Sequence, residues 1–457
     1  MADRPMSTVP PQKAFAARAM TAIGISEFGL LATFVSSIVV SRLLGVEGKG
    51  IFSLFMITVS TIIMFSGFGV GHGQMYHVSR DPRKLSHFIP NATILSLILG
   101  GGIALLYFII GRTWSIRLVV QLGWPAVASA MLVAPILSMI AFQRQFFLST
   151  HSYIVAKFNS FLCQVIPMVF YLAFYALGYI SVVSVIAGFV VAQYVCFAVF
   201  QIWIRRSGIP RGGVSLSFAK ESFSFGIRQY LSDLMQFLVS RLDFFLVAWF
   251  LGESGLGLYS VAVSLAEIAS RVPAELGTIL FPAFASGRLS GRDAVGIVRI
   301  TLFLALVAAL ILFLAGQFMI SMLFGPQFSK SLPAFYWLLP GIVAWSTIYV
   351  TFNCLSASGR PGLGIPIFAS AAVLNSVLNV LLLPRVGLAG AGIAATACYW
   401  LVACLFLAAL CRKTKCSISE ATIMTKSDFL RIMNFISGIL TSLSQLKWSL
   451  LSRQAPR

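Results

Sequence analysis

Seven ionisable side chains fall inside long apolar stretches of the sequence, where a charge is costly to place. They are Glu27, Asp233, Arg241, Asp243, Glu267, Arg271 and Glu275. A charged group in a membrane span costs a few kcal/mol, so these side chains are expected to face a cavity or one another. Glu267, Arg271 and Glu275 are spaced i, i+4, i+8, which places them along one helix face.

Arg271 is the leading candidate for binding an anion. A guanidinium group keeps its charge and offers a planar donor fork that contacts two phosphate oxygens at once. Pro273 follows two residues later, and a proline frees a backbone carbonyl and bends a helix, so the arginine is expected beside a hinge. The alternative is a self-neutralising triad with Glu267 and Glu275 that only makes insertion tolerable.

Four more basic residues are candidates for substrate binding. Arg18 and Arg42 bracket the first apolar segment, Lys157 lies near the start of the fifth, and Arg241 lies within the seventh. Basic side chains at helix ends also anchor proteins to lipid headgroups, which is the alternative for Arg18 and Arg42.

The carboxylates are candidates for coupling transport to protons or sodium. Glu27 has no basic neighbour on its own helix face, and burial raises the pKa of a carboxyl group toward neutrality, so it is the first choice. Asp233 is the second, and Glu267 and Glu275 complete the predicted ion-coupling set. For each of them the alternative is a water-facing polar residue in a wide cavity.

The composition requires these residues to lie in helices that cross a membrane. Of the 457 residues, 58% are hydrophobic and 10% are charged, which excludes a water-soluble surface of ordinary polarity. About twelve apolar stretches are long enough to span a bilayer at roughly 20 residues each. Because these stretches are apolar all round rather than alternating, the fold class is predicted to be all-α, a polytopic membrane protein and not a barrel.

The distribution of basic residues predicts the orientation. The net charge is +20, and most Lys and Arg fall in alternate connecting segments, which the positive-inside rule assigns to the cytoplasm. Both termini are then cytoplasmic, and we expect a multi-pass protein of the bacterial inner (plasma) membrane. The charge is explained by this bias and by attraction to membrane lipids, so no nucleic-acid partner is expected.

An internal repeat divides the chain. Residues 44–53 and 251–260 both read L-G-x-x-G-x-G-x-aromatic-S, at an offset of 207 residues. Each copy follows the first helix of a six-helix block, which predicts parallel repeats, two six-helix lobes around a central cavity. The predicted organisation is a cytoplasmic N-terminus (1–19), an N-lobe (20–204), a cytoplasmic linker (205–225), a C-lobe (226–411) and a cytoplasmic tail (412–457).

Several motifs resemble those of bacterial oligosaccharide flippases. Residues 42–50 resemble their "RLLGxxGxG" turn, and Arg241-Leu242-Asp243 followed by the second copy of the repeat resembles their seventh and eighth helices. Residues 359–361 (G-R-P), with Asn375, Asn379, Pro384 and the glycine-rich 387–392, resemble their C-terminal pattern. The chain is therefore similar to the O-antigen and exopolysaccharide flippases of the multidrug/oligosaccharidyl-lipid/polysaccharide exporter superfamily.

This resemblance implies alternating-access transport of a polyprenyl-(di)phosphate-linked oligosaccharide, in exopolysaccharide, O-antigen or lipopolysaccharide synthesis. It implies a lipid-linked oligosaccharide as the substrate and a polysaccharide polymerase and glycosyltransferases as partners, with no cofactor or metal and no enzymatic activity. Two alternatives stay open: a cation-coupled multidrug exporter of the same superfamily, and a membrane glycosyltransferase or polymerase. Arg241 and Arg271 disfavour the first, and the absence of a long outer segment disfavours the second.

Other patterns indicate structure rather than chemistry. Residues 67–73 read G-F-G-V-G-H-G without a surrounding strand, so close helix packing or a flexible inner end of the second helix is expected there and not a phosphate loop. His72 and His77 are assigned to the membrane interface. The seven cysteines show no disulfide or metal-site spacing. Residues 429–446 have apolar positions at helical spacing, which predicts an amphipathic helix on the inner leaflet.

Overall fold

The protein is helical throughout the part of the chain that the structure describes. The computed structural model describes residues 12–114, 117–150, 152–206, 212–271, 273, 284, 290–357 and 361–429. No described residue lies in a β-strand, which confirms the predicted all-α fold. The amphipathic helix predicted beyond residue 429 and Glu275 lie outside the described residues, and so do the side chains of Arg18 and Glu27.

Fourteen described helices follow one another along the chain, joined by short 3₁₀ and π segments. They are α1 (Gln12–Gly67), α2 (Val70–Arg80), α3 (Leu85–Leu95), α4 (Gly101–Trp114), α5 (Arg117–Leu122), α6 (Trp124–Ser149), α7 (Tyr153–Ala176), α8 (Val182–Arg206), α9 (Leu216–Ala266), α10 (Gly291–Met319), α11 (Leu332–Ala357), α12 (Gly364–Val386), α13 (Leu388–Thr414) and α14 (Ile418–Thr422).

Ten described helical stretches are long and apolar enough to cross a membrane. The two longest, Leu31–Gly67 and Leu216–Ser270, far exceed the roughly 20 residues that one crossing needs, and each is interrupted by a glycine. Each therefore holds two crossings, so the predicted number of about twelve is confirmed.

The two interruptions lie at equivalent glycines of the repeat. Gly45 has φ 69° and ψ −170°, and Gly252, 207 residues later, has φ 72° and ψ −169°. Residues with a Cβ rarely adopt this conformation, so the shared L-G-x-x-G-x-G motif encodes the same break between two helices twice. The assignment of residues 20–204 and 226–411 to two lobes stays a prediction.

The two repeated turns contact each other through glycine. A Cβ placed on Gly50 would lie 1.8 Å from the carbonyl oxygen of Glu253, and one on Gly257 would lie 2.0 Å from that of Val46. Each contact is related to the other by the same offset of 207 residues. The third glycine of each motif therefore permits a backbone approach that any side chain would prevent.

The chain forms two compact units. The first comprises Met1–Leu265, Ala315–Leu338 and Gly362–Cys398, and one of its apolar clusters is built around the buried rings of Phe88, Phe146 and Phe200. The second comprises Ala266–Leu314, Leu339–Pro361 and Tyr399–Arg457.

In the second unit the start of the tail is held by a buried ion pair. Arg299 Nε lies 2.7 Å from Asp428 Oδ2, and the Asp428 side chain is inaccessible to solvent. Arg299 Nη1 also donates to the carbonyl oxygen of Glu420, at 2.6 Å. Ser417 and Glu420 form a capping box that begins α14, so residues 417–428 are ordered against α10.

Candidate functional site

Helices α2 and α9 approach each other through small residues. A Cβ on Gly226 would lie 1.9 Å from the carbonyl oxygen of Gly69, and one on Gly73 would lie 1.9 Å from that of Ser222. The rings of Tyr76 and Phe225 stack at 3.8 Å with an interplanar angle of 13°. We name this contact, formed by residues 69–76 and 222–233, the α2–α9 seam. The close helix packing expected of residues 67–73 is therefore present.

Polar contacts continue from the seam toward the start of α9. Lys84 Nζ lies 2.6 Å from Glu221 Oε2. Asn91 and Ser215 exchange two hydrogen bonds, the Asn91 amide donating to the Ser215 carbonyl and the Ser215 N–H donating to Asn91 Oδ1, each at 2.9 Å. The segment that connects the two repeats is thus held against α3.

A cavity of about 300 Å³ lies beside the seam, within the first unit. Its polar lining includes His72 from α2, Gln145 and Ser138 from α6, Ser60 from α1, and Tyr230 and Asp233 from α9. His72 Nε2 lies 3.5 Å from Asp233 Oδ2, and Gln229 Nε2 donates to Asp233 Oδ1 at 2.8 Å. The two ionisable side chains remain 41% and 32% exposed.

Tyr230 contributes an unusual group to this cavity. The residue is only 6% exposed, and its hydroxyl has no hydrogen-bond partner among the described residues. Buried polar groups are nearly always paired with protein or ordered water. The cavity has room for several waters at about 30 Å³ each, and its polar lining is suited to hold them.

A second carboxylate on α9 has very different surroundings. Asp243 is 1% exposed, accepts a hydrogen bond from the Phe244 N–H at 3.0 Å, and accepts another from the Tyr259 hydroxyl at 2.5 Å. On the same stretch of α9, the carbonyl of Val239 accepts from Asn375 Nδ2 of α12 at 3.2 Å. The Asp243–Tyr259 bond joins the two parts of α9 on either side of Gly252, and the Asn375 bond ties α9 to α12.

The structure brings two members of the predicted triad together. Arg271 Nη2 lies 3.1 Å from Glu267 Oε2, and the two side chains are 37% and 25% exposed. Pro273, the predicted hinge residue, is buried. Glu275 falls outside the described residues, so the third member of the triad stays a prediction.

The other predicted site residues have the following surroundings. Arg42 donates from Nε to the carbonyl of Leu323 at 2.9 Å and also bonds the carbonyl of Met322, so it caps the short π segment after α10. The guanidinium of Arg241 lies 5.4 Å from the centre of the Phe244 ring. Lys157 is half-buried. For Arg18 and Glu27 the side-chain positions lie outside the described part.

His72 is the residue that sequence reasoning missed. From the sequence it is assigned to the interface without a role, yet it is the partner of Asp233, 161 residues away. The available signal was the glycine-rich segment around it, because small residues permit the close approach that brings a histidine against another helix. Among the described residues there is no cluster of three His, Cys, Asp or Glu that could hold a metal ion.

Solved structures show which fold this arrangement belongs to. An inward-facing MATE family multidrug resistance transporter of the MOP superfamily is 17% identical, with a TM-score of 0.63 over 88% of this chain and 98% of that one. The lipid II flippase MurJ, in an inward closed conformation, is 13% identical, with a TM-score of 0.67 over 95% of this chain and 99% of that one. A variant of the Vibrio cholerae MATE transporter VcmN is 14% identical, with a TM-score of 0.61 over 88% and 98%. These similarities show the fold alone.

Sequence comparison shows the family. An uncharacterized membrane protein of Methanocaldococcus jannaschii, MJ1068, is 25% identical over 195 residues, which is 41% of this chain and 38% of that protein's length. The model of a family described as "Polysaccharide biosynthesis protein" matches residues 39–333 of the 457. Since this match covers more than half of the chain, the protein belongs to that polysaccharide biosynthesis family, as its resemblance to oligosaccharide flippases predicts.

Proposed function

We propose that the protein is a flippase that moves a polyprenyl-(di)phosphate-linked oligosaccharide across the bacterial inner membrane for cell-surface polysaccharide synthesis. The family match supports polysaccharide biosynthesis, and the fold shared with a lipid II flippase supports transport of a lipid-linked sugar. In the orientation favoured by the basic residues, substrate is loaded at the cytoplasmic leaflet and released at the periplasmic leaflet. The partners are then a glycosyltransferase that supplies the unit and a polymerase that consumes it.

The observation that carries this proposal is the exposed ion pair of Arg271 and Glu267 inside an apolar span. With 37% of its side chain accessible, the arginine can reach a ligand while Glu267 balances its charge in the absence of one. A phosphate of the lipid-linked substrate would compete with Glu267 for the guanidinium fork. Exchange of one anion for another keeps the arginine paired both with and without substrate.

Contacts between helices of the two repeats support alternating access. In the predicted orientation the α2–α9 seam lies at the cytoplasmic end of its helices, and the Gly50 and Gly257 contacts lie at the periplasmic end. Both contacts join a helix of the first repeat to one of the second. Opening toward the cytoplasm would separate the seam, and opening toward the periplasm would separate the glycine contacts.

Deletion of the gene in the native organism tests the proposal directly. The leaflet that holds the lipid-linked oligosaccharide is then determined with a membrane-impermeant oxidant of the sugars. We expect complete units to accumulate on the cytoplasmic leaflet. Unpolymerised units on the periplasmic leaflet would indicate a polymerase, and increased sensitivity to cationic drugs with normal polysaccharide would indicate the multidrug exporter, the alternative that the MATE fold also permits.

Substitution of Arg271 tests the proposed binding residue. Arg271→Ala is expected to abolish complementation of the deletion while the protein still inserts, and Arg271→Lys to retain part of the activity, because a lysine keeps the charge without the bidentate fork. Arg412→Ala, which removes an exposed arginine at the end of α13, is the matched control and should complement fully. Full complementation by Arg271→Ala would reduce the pair to a structural role.

A further inference from the structure

We propose that the cavity bounded by His72 and Asp233 is a proton-binding site whose occupation strengthens the α2–α9 seam. Physiologically, the inference rests on the proposed transport function, because the seam is the contact that must open for cytoplasmic loading. The effect of the proton on the seam does not depend on a substrate. The proton is bound by one side chain and stabilises a contact between two helices.

The geometry places a proton acceptor opposite a carboxylate across the seam. His72 lies on α2 and Asp233 on α9, with 3.5 Å between Nε2 and Oδ2. Histidine is the side chain that ordinarily gains its charge between about pH 8 and pH 5. A charged His72 forms an ion pair with Asp233, whereas a neutral one does not, so protonation adds an attraction between the two helices.

The cavity makes this site accessible. Both side chains are partly exposed to a space of about 300 Å³, which lets water deliver and remove the proton. Gln229 holds the other oxygen of Asp233 at 2.8 Å and so fixes the carboxylate toward the cavity. The buried Tyr230 hydroxyl, which has no partner among the described residues, lines the same space and is placed to bind the water that carries a proton.

Other ionisable groups near the seam have different contacts. On α2, His77 packs its ring against Phe218 and Phe225 and also interacts electrostatically with Glu221 of α9, whose hydrogen-bonded partner is Lys84. On α9, Arg228 is exposed and Glu221 is paired with Lys84. On α6, Arg144 follows Gln143 and precedes the cavity residue Gln145, and the α1 residues that line the cavity carry no charge. Of the residues that line the cavity, His72 and Asp233 are the ones that carry an imidazole or a carboxylate.

Thermodynamic linkage determines whether acid favours the closed or the open seam. A ligand shifts a conformational equilibrium toward the state that binds it more tightly. Since the proton on His72 gains Asp233 as a partner when the seam is closed, acid favours the closed seam, and the gain is lost as the pH rises above the range in which histidine titrates. A partly exposed ion pair is worth about a two- to fivefold change in a population.

Distance measurements across the seam test this without any substrate. Spin labels are attached at Ser79→Cys and Ser224→Cys, two exposed positions on α2 and α9, in a variant whose seven native cysteines are replaced and which still folds and inserts. The protein is placed in lipid nanodiscs, and the population of the short distance is measured between about pH 8 and pH 5.5. We expect that population to rise two- to fivefold on acidification.

Three variants identify the residues that cause the pH response. His72→Gln, which keeps a polar side chain without a titrating charge, and Asp233→Asn should each abolish the pH response, whereas His77→Gln, on the same helix, should keep it. The proposal is overturned by a response that survives His72→Gln, by the absence of a response in the labelled protein with His72 intact, or by a response to Na⁺ in place of K⁺ at constant pH. Because no lipid-linked sugar is present, a failure here leaves the flippase proposal standing, and a failure of complementation leaves this result unaffected.

Discussion

Two aspartates on the same helix, ten residues apart, have opposite environments. Asp233 is 32% exposed, lies in a cavity and faces a histidine. Asp243 is 1% exposed and accepts hydrogen bonds from the Tyr259 hydroxyl and the Phe244 N–H. The difference teaches that a carboxylate in a membrane span is not by itself a coupling site. Exposure to a cavity and a histidine partner distinguish Asp233 from Asp243, which is buried and held by fixed hydrogen-bond donors.

The two sites differ in the free-energy cost of removing the carboxylate or changing its partner. A buried carboxylate with fixed donors stabilises a single arrangement, and removing it leaves those donors unpaired. A carboxylate in a wet cavity can gain or lose a partner while water compensates. The following predictions test this comparison, beginning with the largest expected effect.

Asp243→Ala is expected to lower the free energy of unfolding by about 3 kcal/mol, because the Tyr259 hydroxyl loses its acceptor in a buried site. Asp233→Ala, on the same helix, is expected to cost less than about 1 kcal/mol, as is usual for an exposed pair. Thermal unfolding of the two purified variants in the same detergent measures the difference. Equal losses would contradict the distinction between the two sites.

Gly226→Ala is expected to destabilise the seam by about 1–3 kcal/mol, as overpacking does, since its Cβ would lie 1.9 Å from the Gly69 carbonyl oxygen. The matched control is Gly213→Ala, where a Cβ meets nothing within 4 Å. The distance between labels at positions 79 and 224 should lengthen in the first variant and stay constant in the second. An unchanged distance in Gly226→Ala would show that the seam does not depend on backbone approach.

The ion pair of Arg299 and Asp428 is expected to be insensitive to pH where the His72 and Asp233 pair responds. Burial by itself raises the pKa of Asp428, but hydrogen bonds from Arg299 and Thr425 outweigh it and hold that pKa below its usual value. Asp428 therefore contributes stability above about pH 4, and the contribution is lost only as the pH falls through its lowered pKa.

Hydrogen exchange of residues 417–428 measures this smallest effect. After correction for intrinsic exchange rates, protection should stay constant between about pH 8 and pH 5, the range over which the seam changes. Asp428→Asn should reduce protection at every pH in that range. A loss of protection near pH 6 in the unmodified protein would indicate that the tail, and not the seam, carries the response to acid.

Local features of this protein follow from the sequence. Twelve crossings were predictable because spanning a bilayer needs only a sufficient apolar length, and the two helix breaks were predictable because glycine motifs repeat at residues 44–53 and 251–260. The pairing of Arg271 with Glu267 follows from a spacing of four residues in one chain segment. Each of these depends on neighbours in the sequence.

The tertiary structure decided the rest. The sequence ranks Glu27 above Asp233 and leaves His72 without a role, whereas the fold places His72 and Asp233 3.5 Å apart across a seam of glycines. It likewise directs Arg42 to carbonyl groups 280 residues away. Whether a polar side chain meets water, a charge or a backbone oxygen depends on which helices pack together, and that is set by contacts summed over the whole fold rather than by spacing along the chain.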